Sequence, residues 1–244
     1  MNFRLKSPGL FVTSTDTDVG KTVVTCAIAA ALRAGGRRVG VCKPIATGGR
    51  KEREGLVSGD AEALAHFADC RAPLAVINPV RYGPAVAPAA AAERAKRPVD
   101  DGAIDSALER IESEHDVVLV EGVGGGMVPL DEKRTVLDLA VRLGYPVVVV
   151  TRGDLGTLNH TALTCGAITA AGLKLAGLVI NRYDAESSDA SAATNPLWLA
   201  RQNHTTVLAT LPEAAGVAPE RGRLPEEVLE AARVLDWMQV CDRP

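Results

Sequence analysis

The chain has 244 residues, with 27 Lys and Arg against 30 Asp and Glu, and its formal net charge of −3 gives no electrostatic reason to bind nucleic acid. Hydrophobic residues make up 47% and aromatics only 3%, so one sizeable core must be built from Val, Leu, Ile and Ala. Five cysteines without a C-x-x-C pair argue against a zinc site or disulfide framework, and with no membrane-length apolar run and no signal-like N-terminus the expected location is cytoplasmic.

Short valine-rich runs alternate with helical patterns along the chain. Strands are expected at Leu10–Thr13, Arg38–Cys42, Val117–Val120, Val147–Val150, Leu178–Ile180 and Thr206–Ala209. Val147–Val150 lacks polar alternation, as a strand buried on both faces does. Helices are expected at Thr22–Arg33, Asp101–Glu114, Thr135–Leu143, Asn159–Ala171, Pro196–Gln202 and Pro225–Trp237, the last with Pro225 in its first turn. This alternation predicts an α/β fold, a mostly parallel sheet flanked by helices on both faces, in a single domain over residues 1–244. Gly48–Gly59 reads as a mobile charged loop, Ala72–Pro98 has no clear assignment, and Arg182–Asn195 reads as a long polar loop.

Between the first strand and the first helix stands STDTDVGKT, Ser14–Thr22. It ends like the phosphate-binding pattern G-x-x-x-x-G-K-[ST] but has Thr15 where that pattern has glycine. In this setting backbone N–H groups and the positive helix end converge on an anion. Lys21 can reach the outer phosphates as a flexible point charge, and the Thr22 hydroxyl can hold Mg²⁺.

Other chemistry-bearing groups follow strand ends. Lys43 opens KPIATG directly after the second strand, where a side chain faces the ligand crevice of an open parallel sheet. Asp60, in SGDAEALAHF, reads as a helix N-cap. Glu121 closes the third strand and precedes Gly122-Val123-Gly124-Gly125-Gly126. A carboxylate there is where phosphate-loop enzymes keep a second metal contact, and glycines let backbone amides approach a phosphate. Asn159, in DLGTLNHT, reads as a helix cap, and Asn181, after the fifth strand, as a turn residue.

Together these motifs resemble the dethiobiotin synthetase family. TSTDTDVGKT is similar to the family's G-T-D-T-x-V-G-K-T, with Ser14 where the family has glycine. KPIATG is similar to K-P-[VIL]-x-[ST]-G, VEGVGGG to V-E-G-x-G-G, and DLGTLNHT to G-x-[LI]-N-H. The likeness runs from about Leu10 to Pro212 and departs at Val86-Ala87-Pro88-Ala89-Ala90, where many relatives have S-P-H.

The resemblance implies a P-loop NTPase-type fold and an ATP- and Mg²⁺-dependent cyclo-ligase. Such an enzyme forms the ureido ring of dethiobiotin from 7,8-diaminononanoate and CO₂, through a carbamate and a carbamic–phosphoric anhydride. It implies that Lys43 is catalytic and that Thr22, Asp60 and Glu121 hold the metal. ATP contacts are implied for Asp18, Val19, Gly20, Lys21, Thr22, Val23, Asp60 and Glu121, and for Gly122, Val123, Gly124, Asn181, Arg182 and Pro212. Thr17 and Thr47 would touch the diamine, and Leu158 and Asn159 would reach the partner's site in a homodimer.

Two rivals share the ATP core. An amide-forming cousin needs an added glutaminase domain, for which 244 residues leave no room. A partitioning-type ATPase, a nucleotide-switched binding module, carries an early loop lysine (K-G-G-x-G-K-T), and Ser14–Thr17 contain none.

Overall fold

The structure, a computed structural model, describes residues 5–53, 55–187 and 190–242. Its first half runs β1 (Gly9–Ser14), α1 (Lys21–Ala34), β2 (Val39–Cys42), β3 (Ile45–Ala46), β4 (Arg50–Glu52), β5 (Gly55–Val57), α2 (Gly59–Ala68), α3 (Leu74–Ile77), β6 (Val80–Arg81), α4 (Pro88–Ala95) and α5 (Asp101–Glu114). The second half runs β7 (Val117–Glu121), α6 (Val136–Leu143), β8 (Val147–Thr151), α7 (Thr157–Ala170), β9 (Leu175–Tyr183), α8 (Ala190–Gln202), β10 (Val207–Pro212), α9 (Glu226–Arg233) and α10 (Trp237–Cys241).

Six strands form one sheet in the order β10-β9-β8-β1-β7-β2, parallel at every pairing. Successive strand residues point to opposite faces, and here both faces are apolar. Val148 and Val150 of β8, with Leu10 and Val12 of β1, meet α1, α2, α9 and α10 through Ile28, Leu64, Val228 and Trp237. Val147 and Val149, with Phe11, meet α5 to α8 through Leu108, Val136, Ile168 and Leu199. Helices therefore cover both faces, as the unalternated valine run predicted. Each fully buried Val or Leu contributes about 1.5–3 kcal/mol of transfer free energy, which with so few aromatics is the main source of cohesion. No helix among the described residues is long and apolar enough to cross a membrane.

The segments that resisted reading contain short elements fixed by distant partners. Gly48–Gly59, expected as a loop, holds the antiparallel pair β4–β5. Arg50 of β4 donates to both carboxylate oxygens of Glu62 on α2, at 2.7 Å each. Glu54, between these two strands in sequence, lies outside the described residues, as do Ser188 and Asp189 of the second polar segment. Within Ala72–Pro98, β6 pairs with β3, Ile45 opposite Val80, so its strand character depends on a partner 35 residues back. Asp60 is not an N-cap: Ser58 holds that position and Asp60 lies in the first turn of α2.

Two helix boundaries also differ. The expected start at Pro196 lies inside α8, which begins at Ala190. An interior proline leaves the carbonyl four residues back without its N–H donor; that carbonyl, Ala192 O, accepts from the Tyr183 hydroxyl at 3.3 Å. The expected helix Pro225–Trp237 is two helices. Pro225 caps α9 rather than entering it, and Asp236 starts α10 by accepting from Met238 N at 3.1 Å.

Asn195, placed in a loop by the sequence, is a buried residue of α8. Its Nδ2 donates to Gly153 O at 2.8 Å and Asp154 O at 3.1 Å, tying α8 to the β8–α7 loop. Asn195→Ala leaves both carbonyls without this donor and is expected to cost about 1–3 kcal/mol in urea unfolding. Leu197→Ala, at an exposed position of the same helix, is expected to change stability by less than about 0.5 kcal/mol.

Candidate active site

The carboxyl ends of β1, β2 and β7 come together because their registers are level. Cys42 lies opposite Val120 in the β2–β7 pair, so the next residues, Lys43 and Glu121, emerge side by side. Val12 of β1 is paired with Glu121 from the other side, and the loop after β1 therefore begins beside the same carboxylate.

That loop turns on two left-handed residues. Asp18 has φ +59° and Gly20 φ +102°; aspartate tolerates this region and glycine adopts it freely. Gly20 has a second reason to lack a side chain, since a Cβ there would stand 2.0 Å from Asn181 Nδ2. Asn181, buried at the end of β9, donates to Val19 O at 2.8 Å and holds the loop crest down. Gly20 caps α1 without offering a side chain to the helix's first N–H groups, and no acidic residue occupies the first turn. Amides left uncapped by any side chain at a helix N-terminus suit an anion.

Four polar groups meet beneath this loop. The Lys43 ammonium, buried, lies 2.5 Å from Glu121 Oε1, 2.8 Å from Asp60 Oδ2 and 3.0 Å from Gly122 O. The Thr22 hydroxyl donates to the same Glu121 oxygen at 3.0 Å. Lys43 is fixed at the backbone as well: its N–H donates to Ile77 O at 2.7 Å, and its carbonyl accepts from Asn78 Nδ2 at 2.6 Å. Burial works against the Lys43 charge, but Glu121 and Asp60 outweigh it and hold the ammonium above the ordinary lysine value. The Lys43 charge in turn draws the Asp60 carboxyl below its usual range. Burial, followed by repulsion from Lys43, brings Lys21 down to about 8. Two positive side chains thus share one rim with two carboxylates.

Above them opens a cleft of about 600 Å³. Thr17, Asp18, Gly20, Lys21 and Thr22 form one wall; Lys43, Thr47 and Asp60 form another; Val123 and Gly124 close it. Ten of the residues singled out from the sequence therefore meet in one place. The remaining flank, Ala85 to Pro88 with Val128, is mostly apolar, and it is where the family's S-P-H is absent.

Other expected residues lie elsewhere. Arg182 lines a separate cleft of about 330 Å³ with Arg152, Asp154 and Glu213. Pro212 is the last residue of β10 rather than a residue after it, paired with Tyr183. Leu158 and Asn159 sit in the first turn of α7, where Gly156 rather than Asn159 is the cap. The same helix lines a third, apolar cleft through His160, Leu163 and Ala167. Reading the sequence missed Asn78, which holds Lys43 from the unassigned stretch. A buried asparagine amid apolar neighbours offers no signal until its acceptor is known.

The donor set suits a hard cation. Among the described residues no cluster of three or more His, Cys, Asp or Glu could hold a metal. Two carboxylates and a hydroxyl nevertheless converge here, and Glu121 Oε2 is buried without a hydrogen-bond partner. Mg²⁺ keeps several waters and shares substrate phosphates, so one or two protein carboxylates suffice.

Comparison with known proteins agrees with this geometry. Residues 8–221 match the family described as AAA domain. The ATP-dependent dethiobiotin synthetase BioD of Anaeromyxobacter sp. (strain K) is 43% identical over 213 residues, covering 86% of this chain and 92% of that protein. The same enzyme of Chromohalobacter salexigens is 38% identical over 217 residues, with 86% and 92% covered. Among solved structures, the MinC:MinD cell division protein complex of Aquifex aeolicus superposes with a TM-score of 0.60 at 14% identity, over 96% of this chain and 94% of that one. A ParA family ATPase from Chlorobium tepidum TLS gives 0.59 at 12% identity, over 96% and 99%. Identities this low speak for a shared P-loop ATPase fold alone, whereas the sequence matches decide the family. The chain belongs to the ATP-dependent dethiobiotin synthetases of the AAA-domain family.

Proposed function

We propose that this chain closes the ureido ring of dethiobiotin from 7,8-diaminononanoate, CO₂ and ATP, releasing ADP and phosphate. The observation that carries the reading is the pair of lysines, Lys21 and Lys43, lining one cleft at the sheet's carboxyl rim. One amine of the substrate adds to CO₂ and loses a proton, giving a carbamate. A carbamate oxygen attacks the γ-phosphorus of ATP as the bond to ADP breaks. The second amine then attacks the carbamoyl carbon and loses a proton, a C–N bond closes the ring, and the C–O bond to phosphate breaks as phosphate leaves.

The obstacle is charge. A carbamate must approach a triphosphate, and at close range and intermediate dielectric each such contact is worth roughly several kcal/mol. In the proposed arrangement the amides of Gly20 to Val23 and the Lys21 ammonium bind the phosphates, and Gly122 to Gly124 flank them. Lys43 serves the transferred group; to do so it gives up one of its three partners, and half-exposed Asp60 is the one at the cleft. Thr22, Asp60 and Glu121 would hold Mg²⁺, which when bound supplies further positive charge to the phosphate oxygens. Thr17 and Thr47 can hydrogen-bond the diamine, exposed Asp18 can face an ammonium, and the flank from Ala85 to Pro88 can take methylenes. Catalysis is then mostly positioning and electrostatics. Asn181, Arg182 and Pro212, at the ends of β9 and β10, are assigned to the base side of ATP.

A homodimer is part of the proposal. Met127, Leu155 and Leu163 are exposed, and Met127 and Leu163 line the apolar cleft of about 430 Å³ beside α7. A second copy covering this face would bring its Leu158 and Asn159 toward the substrate. The likeness to MinD and ParA proteins is one of fold, and nothing at the rim favours a switching module over a ligase.

Three outcomes test this reading. Lys43→Ala is expected to lower kcat by roughly 100-fold or more, in line with loss of a preorganised charge, while ATP affinity measured by calorimetry stays within a few fold. Normal turnover of diaminononanoate by that variant would remove the mechanism. Glu121→Gln is expected to raise the Mg²⁺ concentration for half-maximal activity by about tenfold or more, read from metal titrations at saturating ATP; an unchanged requirement places the metal elsewhere. Leu163→Asp is expected to give a monomer in sedimentation velocity and a raised KM for the diamine, and a dimer of full activity would refute the interface.

A further inference from the structure

Ser14 occupies the place where the family's loop pattern has glycine, and its hydroxyl is not idle. It is fully buried at the end of β1. It donates to Asp16 O at 2.6 Å and accepts from Lys21 Nζ at 2.9 Å. A serine hydroxyl has one proton and two lone pairs. With the proton spent on Asp16, a lone pair faces Lys21. The result is a short relay, Lys21 to Ser14 to the loop backbone, that restrains the lysine and the loop crest together. The same oxygen stands 3.5 Å from Gly124 O, at the seam between the two loops assigned to phosphate.

We infer that Ser14 is a positioning residue that holds the Lys21 ammonium in place for the ATP phosphates, a role a glycine cannot fill. Because Ser14 is neutral, it occupies one of the three ammonium N–H groups without cancelling the charge, and two donors remain for phosphate oxygens. A carboxylate here would neutralise the lysine. A glycine would leave a flexible four-carbon stem to be ordered when ATP binds, and long side chains lose rotamer entropy when fixed. A glycine at this position offers Lys21 no side-chain acceptor at the end of β1.

The inference rests on the reading of Lys21 as a phosphate ligand, and one set of variants separates the two. Calorimetric ATP affinity and steady-state KM and kcat are measured for Ser14→Ala, Ser14→Cys, Ser14→Thr and Lys21→Ala. Ser14→Cys keeps the side-chain shape at a slightly larger volume but gives up the strong acceptor; Ser14→Thr keeps the hydroxyl. The expected result is a five- to tenfold weaker ATP affinity for both Ala and Cys, about the size of the net contribution of one hydrogen bond. The loss falls mainly on KM for ATP, with kcat less affected, and Ser14→Thr recovers most of it. Wild-type affinity in Ser14→Cys, or a loss in Ser14→Ala that Ser14→Cys does not share, overturns the inference, since packing alone would then explain the site. Undiminished binding by Lys21→Ala instead overturns the phosphate reading itself.

Discussion

Everything at the rim depends on giving the wholly buried Glu121 a cationic partner. An isolated carboxylate removed from water costs several kcal/mol even after relaxation, so the fold must bring a cation to it. Lys43 does so at 2.5 Å, and it can only because β2 is paired with β7 in level register. The backbone of Lys43 is then fixed from outside the sheet by Ile77 and Asn78. Removing the lysine strands a bare carboxylate in the interior, a far heavier penalty than breaking an exposed ion pair. A buried ion pair of this kind adds little to stability against an apolar alternative; its value lies in holding charged groups where a reaction can use them.

The sheet supplies the rigidity this demands. Both of its faces are covered by apolar side chains, and the polar groups are confined to the carboxyl edge, where strands end and loops begin. Lys21 and Thr22 belong to the first turn of α1, Asp60 to the first turn of α2, and Lys43 and Glu121 to strand ends. Site groups on regular elements are held more closely than groups on free loops. The loops themselves are tethered: Asn181 holds the phosphate loop, Asn195 holds the β8–α7 loop, and Arg50 holds the β4–β5 hairpin to α2.

What the sequence made legible follows the range of the interactions involved. The valine runs of β7 and β8 and the Gly-Lys-Thr turn are local patterns, and their chemistry was readable from a few residues. The registers that make Lys43 and Glu121 neighbours are not local, and only motif likeness connected them in advance. Asn78, β3 and β6 acquire their roles from partners far along the chain, so a Pro- and Ala-rich stretch concealed them. Pro196 misled for a definite reason. Its missing N–H argues for a helix start, yet Tyr183 supplies a donor to the carbonyl thus left open, and the helix continues through it. Asp60 was singled out as a metal carboxylate by resemblance, while the cap that competed for it belongs to Ser58.

The likeness to MinD and ParA proteins shows how little of function resides in the frame. A six-stranded parallel sheet with a phosphate loop serves several kinds of ATPase, and superposition alone does not choose between them. The choice lies in which side chains the strand ends carry. A module that changes partners with its nucleotide needs loops free to move when phosphate is lost. A ligase that brings two anions together needs cations that are already in place, because any ordering deferred to the moment of reaction is subtracted from the rate. The proposed function calls for the second kind, and the fixity it needs is present: Lys43 is held at backbone and head group, and Lys21 is tied through Ser14 to the loop backbone.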